Sequence, residues 1–213
     1  MKIGILGTGD VGRALGTGFA VLGHEVKMGS RHPEQAKVRE WLKKTGPKAS
    51  AGTFSEAAAF GEIAVLAVAW TGAENAIDLA GPENLAGKVV IDVTNPLDFS
   101  SGALRLAVGH TDSAGEMVQR WMPQAKVVKT FNHVGYAHMV NPKFTDGPPT
   151  MFLCGNDGSA KRKVALLLEA FGWSVIDIGG IESSRYLEPL AALWITYGSR
   201  TNTWNHAFRL LRK

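Results

Sequence analysis

The chain of 213 residues contains one cysteine, Cys154. No disulfide can form within it, which excludes disulfide-stapled secreted folds and makes a reducing, cytoplasmic setting the simpler expectation. Cys154 sits in the apolar run MFLCG, where a thiol acts as a small buried hydrophobe before it acts as a nucleophile. Apolar stretches of the ~20 residues needed to span a bilayer are missing as well. The N-terminus has one lysine and then a strand pattern broken by Gly4 and Gly7, unlike a signal peptide. Net charge is low, at +4, and the basic residues are scattered except for Lys161-Arg162-Lys163 and Arg209 to Lys213. Neither cluster is interleaved with aromatics, so neither nucleic acid nor membrane is expected as a partner. There is no repeat of solenoid period, no Ser-His-Asp order and no His/Cys spacing suited to a metal. What is present is 45% hydrophobic residues, enough to fill the core of one large soluble domain.

The stretch Lys2 to Arg31, KIGILGTGDVGRALGTGFAVLGHEVKMGSR, organises the rest. Gly7, Gly9 and Gly12 follow the apolar run Ile3 to Leu6 and precede a helical pattern, the context in which such a triplet signals dinucleotide binding rather than an ordinary turn. Gly7 suits a tight strand-to-helix turn, Gly9 the approach of backbone to a pyrophosphate, and Gly12 close packing of helix on strand. The helix N-terminus would then offer free N–H groups and a favourable dipole to phosphate.

Val11, Leu15, Phe19 and Leu22 give the first helix a buried stripe, ended by Gly23. A second strand is expected over His24 to Met28. Pro33 then fits the first turn of a helix running to about Lys44, and a short strand follows near Lys48 to Ala51. Thr53 and Glu56 have capping-box spacing for a helix over Phe54 to Phe60, and Ser113 and Glu116 cap a helix that reaches about Trp121. Further strands are expected at Ile63 to Ala69, Lys88 to Val93, Lys126 to Phe131, Thr150 to Cys154 and Trp173 to Ile178. Helices near Ala73 to Ala80, Ser113 to Trp121 and Ser159 to Phe171 alternate with them. The alternation implies an α/β, Rossmann-type doubly wound, mainly parallel sheet over residues 1–180. Residues 181–213 read as a C-terminal helical extension whose apolar face, Leu187, Leu190, Leu193, Trp194 and Tyr197, packs on the sheet or on a second subunit.

An NAD site ends its second strand on an acidic residue that holds the ribose hydroxyls. Here Gly29-Ser30-Arg31 stands in that place. Ser30 can donate a hydrogen bond to a 2′-phosphate, and Arg31 can offer a charged fork or stack on adenine, which makes NADP(H) the expected cofactor. The alternative for Arg31 is a surface arginine opening a loop. His32 is adjacent, though a lone loop histidine is more often solvated.

Ligands of such folds lie beyond the carboxyl ends of the strands. Ala69-Trp70-Thr71, Thr94-Asn95-Pro96 and Phe131 to Gly135 are therefore expected around the nicotinamide. Trp70 walls the ribose side or packs at the rim. Asn95 and Asn132 carry amides able to hold a carboxamide or a flavin edge, or serve as turn formers. His133, the one histidine of this rim, is the candidate proton donor, although no carboxylate is placed by sequence to orient it.

The segments ILGTGDVGRALG, GSRHPE, IAVLAVAW, VVIDVTNPL, KVVKTFNHVGYAHMVNP, MFLCGND, GWSVIDIG and SRYLEPLAALWITYG cover nearly the whole chain. In them the sequence resembles the NADPH-dependent reductases of the deazaflavin coenzyme F420, the soluble bacterial reductases grouped with these, and the cytosolic NADPH domain of the STEAP metalloreductases. The resemblance implies a cytoplasmic homodimer in which Thr8, Gly9, Asp10 and Val11 bind the pyrophosphate, Ser30 and Arg31 the 2′-phosphate, and Ala69 and Trp70 the ribose-nicotinamide side. It also implies direct hydride transfer between the nicotinamide and a flavin or deazaflavin (F420-like) ring, which needs two aromatic faces in contact and few catalytic side chains. Two departures stand out. Archaeal members carry a His-Thr-Ile-Pro-like segment where this chain has Asn132-His133-Val134-Gly135, and a basic residue of theirs falls at or beside Gln35, with Lys37 as its possible replacement.

Two other readings compete. Imine and carbonyl reductases of the 6-phosphogluconate dehydrogenase type share the opening fingerprint but need a long helical substrate domain. A non-catalytic NADPH-sensing module needs only the cofactor site and a protein partner.

Overall fold

The computed structural model describes all residues from Met1 to Lys213. Strand β1 (Lys2–Leu6) leads into α1 (Asp10–Val21), β2 (Glu25–Gly29), α2 (Ala36–Thr45), β3 (Ala49–Gly52), α3 (Phe54–Phe60), β4 (Ile63–Leu66), α4 (Ala73–Ala80), the short α5 (Pro82–Leu85) and β5 (Val89–Asp92). A small hairpin, β6 (Leu97–Asp98) and β7 (Arg105–Leu106), interrupts the alternation. Then follow α6 (Ala114–Trp121), β8 (Lys126–Lys129), β9 (Thr150–Gly155), α7 (Gly158–Ala170), β10 (Ser174–Asp177) and α8 (Ser184–Thr201).

Eight strands form one sheet in the order β10-β9-β8-β5-β4-β1-β2-β3. All pair in parallel except β8 with β9. A parallel return needs a crossover, usually helical. Between β8 and β9 the chain makes only the 3-10 turn Tyr136–His138, and β9 runs back antiparallel.

Alternate residues of each strand point to opposite faces. Ile3, Ile5, Val65, Ile91 and Val128 pack with Leu15 and Phe19 of α1 and Val164 of α7. Leu6, Leu66, Val90 and Val127 pack with Ala57 of α3, Ile77 of α4 and Val118 of α6. The central strands are covered on both faces, which is why their sequences read as continuous apolar runs.

Several boundaries differ from the sequence reading. Pro33 does not open α2: Gln35 is in extended backbone, the helix starts at Ala36, and the Gln35 side chain is bound to Ser30. Leu22 is the C-cap of α1 and is 37% exposed, outside the buried stripe. The terminal helix stops at Thr201, where Asn202 takes a left-handed conformation (φ 50°). The rest of the chain is irregular and runs beside the start of β9: Phe208 O accepts the Thr150 N–H at 2.9 Å, and the Leu210 N–H donates to Thr150 Oγ1 at 3.0 Å. On α8, Leu187 and Trp194 are buried, whereas Leu193 and Tyr197 face outward.

Candidate cofactor and active site

The order in which strands are added to the sheet reverses between β1, which continues to β2 and β3, and β4, which continues to β5 and β8. A crevice must open at the carboxyl ends there. It is a cleft of about 360 Å³ lined by the turns after β1 (Gly7, Thr8, Gly9), β2 (Ser30, Arg31, His32, Gln35, Lys37) and β4 (Ala67, Val68, Ala69, Thr71), with Phe54 and Asn75 on its walls. Gly7 has φ +131°, and a Cβ there would lie 2.1 Å from Ala67 O; one on Gly12 would lie 2.5 Å from Gly7 O. Neither position admits a side chain. Around Gly9, by contrast, the space is open within 4 Å.

The helix ends sharpen this contrast. Thr53, Ser113 and Asp157 cap α3, α6 and α7 with side-chain oxygens. The N-cap of α1 is Gly9, with no capping side chain. The first-turn N–H groups of Asp10, Val11 and Gly12 are thus left for an anion at the cleft floor. The Asp10 carboxylate is engaged by Arg13, whose guanidinium also donates to Thr8 O at 2.9 Å.

Ser30 is 4% exposed, and its hydroxyl oxygen accepts the Gln35 amide N–H at 2.7 Å and the His32 backbone N–H at 3.0 Å. A hydroxyl has two acceptor sites and one hydrogen. With both acceptor sites taken, Ser30 is left as a donor at the cleft wall. Arg31 is exposed beside it, Lys37 lines the same wall, and no carboxylate is among the lining residues. These groups fit a 2′-phosphate: one oriented hydroxyl donor, a guanidinium fork and a second cation. Gln35 and Lys37, the positions of departure from the archaeal pattern, both lie on this cleft.

At the ends of β4, β5 and β8 the rim side chains are mostly engaged with the protein itself. Trp70 turns away from the cleft and stacks on Trp121 of α6, with ring centroids 5.3 Å apart; its apolar ring finds a better partner there than in the polar crevice. Pro96 is buried, and its carbonyl accepts the Ala107 N–H at 2.7 Å, fixing the base of the hairpin. Asn132 donates to Asn95 Oδ1 at 3.0 Å and to Leu187 O at 2.9 Å, and Asn95 donates to Asn132 O at 2.7 Å. Both Asn132 amide hydrogens are consumed, so that residue braces the rim and does not offer donors to a ligand. Asn95, half-buried, keeps one N–H.

His133 is 1% exposed and lies between Phe152 and Phe208. Burial lowers its pKa from 6.5 to about 4, so at neutral pH it carries no second proton. The expected proton donor is a core histidine. Strand-end position alone did not reveal that its ring turns into the sheet.

The sequence reading also missed a buried charge cluster. Lys129, fully buried on β8, reaches Asp92 at 2.9 Å and Glu188 of α8 at 3.1 Å. Glu188 also accepts the backbone N–H groups of Ala114 and Gly115, each at 3.0 Å, at the start of α6. Asp92 accepts the Thr94 N–H and hydroxyl at 2.9 and 2.7 Å. Burial raises the Glu188 pKa despite Lys129 and the two N–H groups. For Lys129 burial opposes the charge, but the paired carboxylates outweigh it and its pKa is raised. A lysine directly after the two valines of a central strand was the available signal.

Comparisons with known proteins agree with this geometry. Residues 2–96 match the family described as NADP oxidoreductase coenzyme F420-dependent. The F420-dependent NADP reductase of Methanocaldococcus jannaschii is 34% identical, with 92% of this chain matched to 91% of that protein. A solved structure from Arthrobacter sp. FB24, provisionally assigned as an F420-dependent NADP reductase, superposes with a TM-score of 0.94 at 41% identity, covering 100% of both chains. Rat metalloreductase STEAP3 is 31% identical over 89% of this chain, which spans only 36% of that longer protein. The crevice at the strand ends, joined to a match with the archaeal enzyme over 92% of this chain and 91% of that protein, places this chain in the family of F420-dependent NADP reductases, as an NADP-dependent oxidoreductase.

Proposed function

We propose that the protein passes hydride between NADP(H) and a flavin or deazaflavin ring laid on the nicotinamide at the ends of β5 and β8. The support is chemical. Among Thr94 to Pro96 and Phe131 to Gly135, the polar side chains are the hydroxyl of Thr94, the amides of Asn95 and Asn132, and an imidazole that is buried and neutral. Hydride transfer between stacked rings needs alignment more than a proton donor, whereas reduction of an imine or carbonyl needs a proton delivered to the substrate.

In this reading NADPH supplies the hydride, and the chain supplies orientation. The N–H groups of Asp10, Val11 and Gly12 hold the pyrophosphate. Ser30, Arg31 and Lys37, with Gln35 fixing the Ser30 hydroxyl, hold the 2′-phosphate. Ala69 lines the ribose side, and Asn95 turns its remaining amide hydrogen toward the nicotinamide end. Stopped-flow oxidation of NADPH by coenzyme F420, FMN and a cyclic imine tests the proposal. Rapid reduction of a flavin-like acceptor is the expected result. Turnover of the imine alone would overturn it in favour of the carbonyl and imine class, and tight NADPH binding without turnover of any acceptor would favour a cofactor-sensing role.

A further inference from the structure

The charge cluster beneath the rim does more than join helices. Asp92 ends β5, Lys129 ends β8, and Glu188 lies on α8, so the three side chains meet where two central strands, α8 and the start of α6 converge. Two carboxylates share one ammonium, and the excess negative charge is met by the first N–H groups of α6. Every polar atom of the cluster has a partner. A buried arrangement of this kind contributes little net stability compared with apolar packing, but removing one partner leaves a buried charge unpaired, so the three groups hold one another in place.

That geometry continues to the rim. Leu187, the residue before Glu188, presents the carbonyl that receives one Asn132 amide hydrogen, and Asn132 gives its other hydrogen to Asn95. Asn95 closes the loop by donating to the Asn132 backbone carbonyl. Asp92 acts from below, since its carboxylate holds the Thr94 backbone N–H, one residue before Asn95. The chain of contacts therefore runs from Lys129 through Glu188, Leu187 and Asn132 to Asn95.

We propose that Lys129 and Glu188 are positioning residues for the reaction, holding α8 so that Leu187 and Asn132 fix the Asn95 amide at the nicotinamide end. The inference rests on the reading of this rim as the hydride-transfer site. It assigns the cluster no contact with cofactor or acceptor. Misplacing an orienting group by about 1 Å costs on the order of 100-fold in rate, whereas the phosphate-binding cleft, built from other loops, is left intact.

The test uses the full chain carrying Glu188→Gln, Asn132→Ala, Asn95→Ala or the double change E188Q/N95A, with two kinds of readout. Without cofactor, hydrogen exchange of the Asn132 side-chain amide is followed by NMR, with Asn84, bound to Ala80 O far from the cluster, as the control. Glu188→Gln is expected to speed exchange at Asn132 and leave Asn84 unchanged. With NADPH, Glu188→Gln is expected to slow first-turnover hydride transfer about 10- to 100-fold while the NADPH Kd moves less than about threefold. The effect should be non-additive with Asn95→Ala, because both act through one amide. Unchanged exchange at Asn132, or additive losses in the double variant, overturns the proposal. If Glu188→Gln does not fold, Asn132→Ala breaks the same route with the cluster intact and must show the same split between rate and Kd; its absence is equally decisive. Failure of the wild-type chain to reduce any flavin-like acceptor would instead overturn the functional reading, and the exchange measurement separates the two.

Discussion

Ser30 and Arg31 follow one another in sequence but do different work. Burial and two accepted hydrogen bonds leave Ser30 one way to point its proton, while Arg31 stands exposed with a free fork. Arg31→Glu removes a charge-assisted contact and places a carboxylate at the phosphate position. Because such contacts contribute about 1.5–3 kcal/mol, NADPH affinity is expected to fall roughly 10- to 100-fold and NADH affinity to change little. Titration of each cofactor by fluorescence checks this, and an unchanged preference would remove Arg31 from the site. His133 makes the opposite case, a polar residue whose role is structural. Well above pH 6.5 its imidazole is neutral whether the chain is folded or not. As the pH falls from 6.5 toward about 4, the unfolded chain takes up the proton and the folded one does not. Stability should therefore decline through that window, by up to ~3 kcal/mol for this group. Urea midpoints measured from pH 7 to 4 should show a shallower acid loss in His133→Phe, while wild-type hydride transfer should show no inflection near pH 6.5 from this residue.

At the scale of elements, the contact of α6 with α8 is the joint that most affects the rim. Arg185 forms a two-pronged pair with Glu116 across it, at 2.6 and 2.8 Å, and Glu188 receives the start of α6. The helices approach closely because Gly115 faces Ser184: a Cβ on Gly115 would lie 2.2 Å from Ser184 Oγ. Gly115→Ala is expected to cost about 1–3 kcal/mol through overpacking, and Ser184→Gly in the same chain should restore part of it. Thermal or urea unfolding of the wild type and the two variants measures both effects. Gly115 and Ser184 were not legible as partners, since each reads as an ordinary helix-start residue and only the packing of two distant segments brings them together. The capping pairs Thr53-Glu56 and Ser113-Glu116 were legible, because a cap is satisfied within four residues of sequence.

At the scale of the whole molecule, α8 buries Leu187, Ala191 and Trp194 and leaves Tyr186, Leu193 and Tyr197 exposed on its outer side. These three recur at helical spacing as an exposed apolar stripe, and two-fold dimers bury stripes of this kind against their own copies. Light scattering is expected to show a homodimer that Leu193→Glu converts to monomer; a monomeric wild type would dismiss the stripe as an interface. No helix of the chain is long and apolar enough to cross a membrane.

The sequence by itself determined the parallel part of the sheet, the place of the crevice and which residues line its β1 and β2 end. Those features rest on local patterns: strand periodicity, a glycine turn followed by a helix, and two residues at the end of β2. Tertiary structure alone decided the other end. Whether a side chain after β4, β5 or β8 faces the cleft or the core depends on neighbours from α6, α8 and β9, far away in sequence. Such contacts turned Trp70 onto Trp121, buried His133 between two phenylalanines, spent the Asn132 amide on Leu187, and drew Lys129 to two carboxylates that no local pattern joins.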